Sequence, residues 1–189
     1  MVAIGTLTAG LAPVFASVFA TTGTAGGTAG VESAAAEGSR ATEKVAVHDG
    51  APSKEVLIDR FLQALRDKDL DALRRLRLSE SEYREIVMPG HVPVGQPHRN
   101  WPEDVKEYAW KSLNTKCFYL ERALVAQYGG HAYEVKEAHF EEGVEQYDSY
   151  VGYKQLRLRL REGDREAELA TGSIAEIDGQ FKFVSYIRD

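Results

Sequence analysis

The sequence lacks the cysteines needed for a disulfide, because Cys117 is the only one among its 189 residues. A lone cysteine cannot form an internal bridge, so the folded state must be stabilised by an apolar core. Glycine-rich phosphate-binding loops, serine nucleophile elbows and Cys-x-x-Cys pairs are also missing. The sequence therefore carries no motif for nucleotide hydrolysis, α/β-hydrolase chemistry or thiol redox chemistry.

The sequence has fewer basic residues than acidic residues. The chain holds 23 lysines and arginines against 29 aspartates and glutamates, which gives a formal net charge of −6 at pH 7. Proteins that bind nucleic acids neutralise phosphates with an excess of basic residues, usually gathered on one face. The composition therefore predicts no nucleic acid partner.

Aromatic residues are scarce in the first part of the chain. Residues 1–20 are uncharged and largely apolar, which predicts a signal peptide, although the usual positive charge at its start is missing. Residues 21–53, rich in Gly, Ala, Thr and Ser, predict a flexible linker. We expect export to the periplasm or the extracellular space, or a cytoplasmic location if the first segment is instead a disordered extension. Glycine and proline interrupt that segment, so no stable membrane insertion of the folded domain is expected.

From Ser53 onward, apolar residues recur at the spacing of amphipathic helices. Ser53 predicts the N-cap of a helix that ends near Lys68, and Asp69 predicts the cap of a short second helix. Ser79 and Glu82 have the spacing of a capping box for a third. Together these residues predict a compact N-terminal helical arm.

A proline-rich loop and one long helix follow. Three prolines and two glycines within residues 88–100 argue against a regular element there. Asn100 predicts the N-cap of the long helix, because Pro102 suits a first turn and apolar residues recur as far as Tyr128. Gly129 is a typical residue for its C-terminal end.

After His131 the apolar period changes to the two-residue period of a strand. The dipeptide Asp178-Gly179 is a strong signal for a hairpin between the last two strands. The predicted strands cover residues 132–141, 144–161, 166–177 and 181–188.

The second of these strands changes its apolar face. Leucines occupy the even positions within 156–160, whereas Tyr147, Val151 and Tyr153 occupy odd positions upstream. Such a change indicates a β-bulge or a sharp bend near residues 152–155. The predicted fold class is therefore α+β, with a helical arm and one long helix packed on a curved, cone-like, four-stranded antiparallel meander.

Three arginines alternate with those leucines. Arg157, Arg159 and Arg161 must share the solvent-facing side, and Glu166 and Glu168 follow on the next predicted strand. We expect cross-strand ion pairs on this face rather than a site for an anionic partner.

The order of elements, with the bend at residues 152–155, resembles the nuclear transport factor 2-like (cystatin-like, SnoaL-like) superfamily over residues 54–189. The segments NWPEDVKEYAWKSL and TGSIAEIDGQFKFVSYIRD are also similar to uncharacterised exported bacterial proteins. The superfamily usually places a short hairpin where this sequence has its proline-rich loop. The resemblance implies a conical pocket, which polyketide cyclases and ketosteroid isomerases use for catalysis. Other members bind ligands, form dimers or serve as accessory domains.

Tyrosines are the residues most suited to line such a pocket, because a buried tyrosine offers an apolar ring and a hydroxyl group that needs a partner. Ordinary packing in the core and on the sheet explains tyrosines as well. The predicted ligand-binding residues are Tyr83, Asn100, Trp101, Tyr108, Tyr147, Tyr153 and Tyr186.

His139 and Asp148 form the predicted acid–base pair, because they stand on neighbouring predicted strands and a histidine base needs a group that orients it. His91 and His98 flank the proline-rich loop but match no zinc-binding spacing, so they are interpreted as solvent-facing loop residues. Neither a metal nor an organic cofactor is predicted.

The favoured hypothesis is an exported, non-catalytic accessory or small-ligand-binding domain with an apolar, tyrosine-lined pocket. One alternative is a cyclase/isomerase-like or hydrolase-like enzyme that uses His139 and Asp148. The other is a homodimeric protein–protein interaction module that pairs through the outer face of its sheet.

Overall fold

The computed structural model describes residues 45–188. The predicted signal peptide, and the predicted linker before residue 45, lie outside them. The architecture is α+β. A π-helical turn joins two short helices, α3 and α4. The helical elements are α1 (Lys54–Asp67), α2 (Leu70–Arg75), α3 (Glu80–Glu82), the π-turn (Tyr83–Val87), α4 (Met88–Gly90) and α5 (Glu103–Tyr128).

Within these residues, no helix combines the length and the hydropathy that crossing a lipid bilayer requires.

The helical arm has the predicted caps. Ser53 Oγ accepts the Val56 N–H at 3.3 Å, and α1 ends where Lys68 takes a left-handed conformation with φ 56°. Asp69 Oδ1 accepts two N–H groups in the first turn of α2. These bonds satisfy donors that have no partner inside a helix, and the predictions at Ser53 and Asp69 are confirmed.

The predicted capping box is also present. The Glu82 N–H donates to Ser79 Oγ at 3.2 Å, and the Ser79 N–H donates to Glu82 Oε2 at 2.6 Å. This reciprocal pair fixes the start of α3.

The predicted N-cap of α5 is wrong. Pro102, not Asn100, is the N-cap residue, and its carbonyl accepts the Lys106 N–H at 3.1 Å. Trp101 precedes Pro102, and the ring of a proline disfavours helical backbone at the residue before it. The helix therefore begins after Trp101. α5 then continues without a break to Tyr128.

Between residues 134 and 183, seven strands form two antiparallel sheets, in place of the four long strands predicted there. One sheet has the order β1-β4-β5, and the other has the order β2-β3-β6-β7. The strands are β1 (Glu134–Phe140), β2 (Val144–Gln146), β3 (Val151–Tyr153), β4 (Leu156–Glu162), β5 (Arg165–Ala170), β6 (Ile174–Ile177) and β7 (Gln180–Phe183).

The strand predicted over residues 144–161 is interrupted twice. Gln155 has φ 56° and separates β3 from β4, so the break predicted near residues 152–155 is confirmed. A tight turn, closed by the Tyr147 N–H bonded to Tyr150 O at 2.9 Å, separates β2 from β3. Alternation of apolar residues does not reveal this turn.

The strand predicted over residues 166–177 divides into β5 and β6. Hydrogen bonds continue across the division, because the Thr171 N–H donates to Leu156 O and the Leu156 N–H donates to Gly172 O. The hairpin predicted at Asp178-Gly179 is confirmed, and both of its residues have positive φ, as a type I′ turn requires.

The main core lies between the helical arm and the leucine face of β4. Phe61 and Phe183 are fully buried there, with ring centroids 5.1 Å apart. The leucines of β4 at positions 156, 158 and 160 pack against the same cluster. Burial of this apolar surface is the main stabilising contribution.

The arginine face of β4 forms cross-strand ion pairs, as predicted, although of the two glutamates expected on the next strand only Glu168 takes part within the described residues. Arg157 contacts Glu168 on β5 and Glu141 after β1. Arg159 contacts Glu137 of β1, and Arg161 contacts Glu134 of β1, each at 3.2 Å. The outer face of this sheet is therefore charged and internally paired.

Contacts of the folded chain begin before α1. Ala51 is fully buried, and its N–H and carbonyl both bond to Phe181 of β7, at 2.9 and 2.8 Å. The His48 N–H donates to Glu82 Oε1 at 2.9 Å. Residues 48–51 therefore contribute to the domain although their composition resembles a linker.

A buried ion pair joins this segment to α3 and β7. Lys182 Nζ lies 2.8 Å from Glu82 Oε2 and 3.0 Å from His48 O, and both charged side chains are almost completely buried. Burial disfavours the carboxylate, but hydrogen bonds from Lys182 and from the Ser79 and His48 N–H groups outweigh it. The pKa of Glu82 is therefore lowered.

Lys182→Met should reduce the free energy of unfolding at neutral pH by about 3–5 kcal/mol, because it leaves a buried carboxylate without its cation. Urea denaturation measures the change, and the exposed Lys136→Met is the matched control, expected to leave stability nearly unchanged.

The effect of Lys182→Met should also depend on pH. The low pKa of Glu82 means that its contribution is present above the unfolded pKa of about 4.3 and is lost as pH falls through the folded pKa. The gap between the variant and the wild type should therefore shrink in acid. A gap of the same size at neutral and acid pH would contradict the role given to the pair.

Candidate functional site

A group of polar side chains lies where the proline-rich loop contacts the turn between β2 and β3. The Asp148 N–H in the turn donates to Val92 O in the loop at 3.0 Å. The Gly95 N–H in the loop donates to Asp148 Oδ1 at 2.9 Å. These bonds hold the loop on the turn, although the two are distant in the sequence.

A glycine permits this close approach. A Cβ atom at Gly90 would lie only 1.9 Å from Ser149 Oγ. Any side chain at position 90 would therefore displace the turn, so the site depends on the missing Cβ.

His98 binds two residues of the turn through one nitrogen. Its Nε2 atom lies 2.8 Å from Asp148 Oδ2 and 3.1 Å from Ser149 Oγ. A serine nucleophile relay needs the serine and the carboxylate on opposite nitrogens of the ring. The Ser149, His98 and Asp148 group therefore docks the loop but does not have the geometry of a relay.

His91 belongs to a stack of aromatic rings. Its centroid lies 4.2 Å from that of Tyr147, which in turn lies 4.7 Å from Tyr150. His91 Nδ1 is 2.6 Å from Tyr150 Oη. Partial burial lowers the pKa of His91, and burial raises the pKa of Tyr150. Both groups are therefore neutral at pH 7, and the contact is a hydrogen bond rather than an ion pair.

Tyr147 connects this stack to a surface ion pair. Its Oη donates to Glu145 Oε2 at 2.7 Å, and Glu145 also contacts Lys154. The hydrogen bond from Lys154, together with that from Tyr147, lowers the pKa of Glu145. The predicted ligand-binding hydroxyl of Tyr147 is therefore already bonded within the chain.

The structure does not bring the predicted acid–base pair together. His139 is exposed on β1, opposite Arg157 of β4, and no hydrogen bond in the described residues joins it to Asp148. Asp148 is oriented by Gly95 and His98 instead. The reason is the unpredicted turn, which carries Asp148 away from β1 and towards the proline-rich loop.

Four predicted ligand-binding residues lie at or near α5. Tyr108 is 76% exposed and faces away from the core. Asn100 is exposed, and Trp101 is half-buried with its Nε1 donating to Met88 O at 3.2 Å. Tyr83 packs against Trp110 with centroids 5.8 Å apart. The contacts of these four side chains differ, and none of the four lines either of two open grooves beside α1.

The other two predicted tyrosines are separated as well. The hydrogen bond from Tyr153 Oη to Glu176 raises the pKa of Tyr153 to about 12. Tyr186 is 2% exposed, and its hydroxyl donates to Leu73 O at 2.7 Å. Both hydroxyl groups are bonded inside the chain rather than directed at a ligand.

Two open grooves flank α1. The groove between α1 and α2 has a volume of about 410 Å³ and includes Arg60, Asp67 and Arg75. The groove between α1 and the start of β1 has a volume of about 420 Å³ and includes Arg66 and His131. None of the tyrosines predicted to bind a ligand lines either groove.

Among the described residues, no group of three or more His, Cys, Asp or Glu side chains is arranged to hold a metal ion. The two loop histidines bind Asp148 and Tyr150 instead.

Helix α5 carries four of the seven exposed large apolar side chains of the described residues. Tyr108 and Tyr119, exposed by 76% and 66%, lie on the side of the helix opposite the buried Cys117 and Glu121. Val105 lies on the same outward face, and Phe118 lies beside it.

Comparisons with protein-family models, with curated proteins and with solved structures found no match to this chain. A functional conclusion therefore rests on the geometry of the molecule itself.

Sequence reasoning missed the roles of His91, His98, Ser149 and Tyr150 in docking the loop. The signal available was the concentration of His, Pro and Gly in the loop, which indicated a special backbone but not its partner.

Asp148→Ala should release the loop from the turn, because it removes the acceptor of both Gly95 and His98. Amide hydrogen exchange at Gly95 should become faster at neutral pH, and the exposed turn variant Asp164→Ala should leave it unchanged. Unchanged exchange at Gly95 in Asp148→Ala would contradict the docking role.

In the wild type, the Gly95 N–H and His98 lower the pKa of Asp148. Protection of the Gly95 amide should therefore persist above the unfolded pKa of about 3.9 and decline as pH falls through the folded pKa.

Proposed function

We propose that this protein is a non-catalytic, exported protein-interaction module of the nuclear transport factor 2-like type, with its contact surface on the outward face of α5. The observation that carries the proposal is the exposure of Val105, Tyr108 and Tyr119 on one side of a long helix. Clustered apolar side chains on a surface typically mark an interaction site, and tyrosine is enriched at protein interfaces.

The charged outer face of the β1-β4-β5 sheet favours α5 over the sheet as the contact surface. Arg159 and Arg161 are already paired with glutamates of β1. The centre of a stable protein interface is depleted of charged residues. The protein-contact surface is therefore placed on α5, and not on the outer face of the sheet as the sequence suggested.

The breaks in the strands support the proposed fold type. The break after β3 contains Gln155, and the break after β5 begins at Thr171. Hydrogen bonds between Leu156 and residues 171–172 join the two breaks. These bonds place the ends of the two sheets side by side, which supports the bent sheet that the resemblance implies. Tyr128 near the end of α5 donates to Glu168 O in β5 at 2.7 Å, which holds the helix against that sheet.

The surroundings of the candidate residues favour a non-catalytic role. A general base must reach the proton that it abstracts inside a site that orients substrate. His139 is exposed on an edge strand, and the ring nitrogen of His98 is occupied by Asp148 and Ser149. The export part of the proposal rests on the apolar, uncharged residues 1–20.

A photoactivatable benzophenone side chain tests the contact surface in the full-length protein. Substitution of p-benzoylphenylalanine at Tyr108 or Tyr119 should give a discrete protein adduct in cells that produce the protein. The same residue at Arg159, which is 60% exposed on the sheet, is the matched control and should give none. The absence of an adduct from both helix positions, or an adduct from position 159 alone, would overturn the proposed function.

A further inference from the structure

We infer that the partner on this face is a second copy of the chain, held by antiparallel contact between two α5 helices about a two-fold axis. The inference rests on the proposed function and names its partner. Its basis is the symmetry of the residues along the outward face and the position of two charges that have no ion-pair partner in the described residues, one of which, Arg122, lies over the Phe118 ring.

The side chains along the outward face of α5 follow a nearly palindromic order. Tyr108, Ser112, Thr115 and Tyr119 follow one another at spacings of four, three and four residues. A two-fold axis between positions 113 and 114 therefore places Tyr108 opposite Tyr119 of the second copy, and Ser112 opposite Thr115. A two-fold interface requires one patch to be complementary to itself in this way.

Small residues occupy the centre of the face. Ser112 and Thr115 lie where the two helices would come closest, and small side chains allow helix axes to approach to about 8–10 Å. The tyrosines on either side would then cover the crossing. From Val105 to Arg122 the face is about 26 Å long, enough for several turns of contact.

Two charges select the antiparallel arrangement. Asp104 and Arg122 are exposed, and neither has an ion-pair partner in the described residues. They are separated by 18 positions, which is about five turns, so they lie on the same flank of the helix. The two-fold axis brings Asp104 of one copy next to Arg122 of the other, at both ends of the contact. A parallel arrangement would leave Asp104 and Arg122 about 27 Å apart along the helix axis, too far apart to pair.

Most other exposed charges of α5 are already paired within the chain. Glu107 contacts Lys111, and Glu103 contacts Arg84 and Lys106. Lys116 lies on the opposite flank from Asp104. These charges therefore do not oppose the arrangement.

Sedimentation equilibrium of the purified full-length protein tests the inference. The wild type should change from one to two chain masses as its concentration rises. Tyr108→Glu should weaken the association about thirtyfold or more, since a tyrosine buried between the two helices would be a hot spot. Circular dichroism checks that this exposed variant remains folded.

A charge exchange separates this arrangement from any other dimer. Asp104→Arg alone and Arg122→Asp alone should each weaken association, and the double variant should restore it, because the exchanged charges pair again across the two-fold axis. Asp164→Arg, on the exposed turn between β4 and β5, is the control and should have no effect.

The outcomes also distinguish this inference from the proposed function. A protein that stays monomeric at all concentrations, or a dimer insensitive to Tyr108→Glu and to the charge exchange, overturns the inference. The proposed function survives that result if the benzophenone residue at Tyr108 still gives an adduct, whose mass then identifies a different partner.

Discussion

The contact between Glu82 and Lys182 joins three parts of the chain at a single buried point. Glu82 accepts hydrogen bonds from the start of its own helix, from the backbone of His48 and from the lysine on β7. Lys182 in turn donates to His48 O. Because an unpaired charge cannot remain buried at low cost, the helical arm, the segment before α1 and the last strand must assemble together.

A second buried polar group orients α5. Glu121 is fully buried on the inner side of the helix, with Arg77 at 3.0 Å and Arg74 at 3.3 Å. Arg77 also donates to Asn114 Oδ1 at 3.0 Å. These contacts fix which side of α5 faces the arm. The same orientation of α5 about its own axis places Tyr108 and Tyr119 on the outward side. The inner polar contacts and the outer apolar face therefore follow from one constraint.

The features that could be predicted from the sequence are local. The caps at Ser53, Asp69 and Ser79, and the hairpin at Asp178-Gly179, depend on residues within a few positions of one another. The docking of His98 on Asp148 joins residues 50 positions apart, and no local pattern encodes it. Periodicity also shows which residues of α5 share a side, but not which side is buried, because the charged residues Lys106 and Glu121 are buried on the inner side together with Cys117 and Tyr128.

The close approach of Gly90 to Ser149 restricts how this protein can vary during evolution. With no room for a methyl group between them, a larger residue at position 90 is compatible with the fold only if the turn at 149 moves at the same time. Substitutions at the two positions should therefore be inherited jointly. A descendant that has lost this glycine would also have lost the arrangement of its histidines.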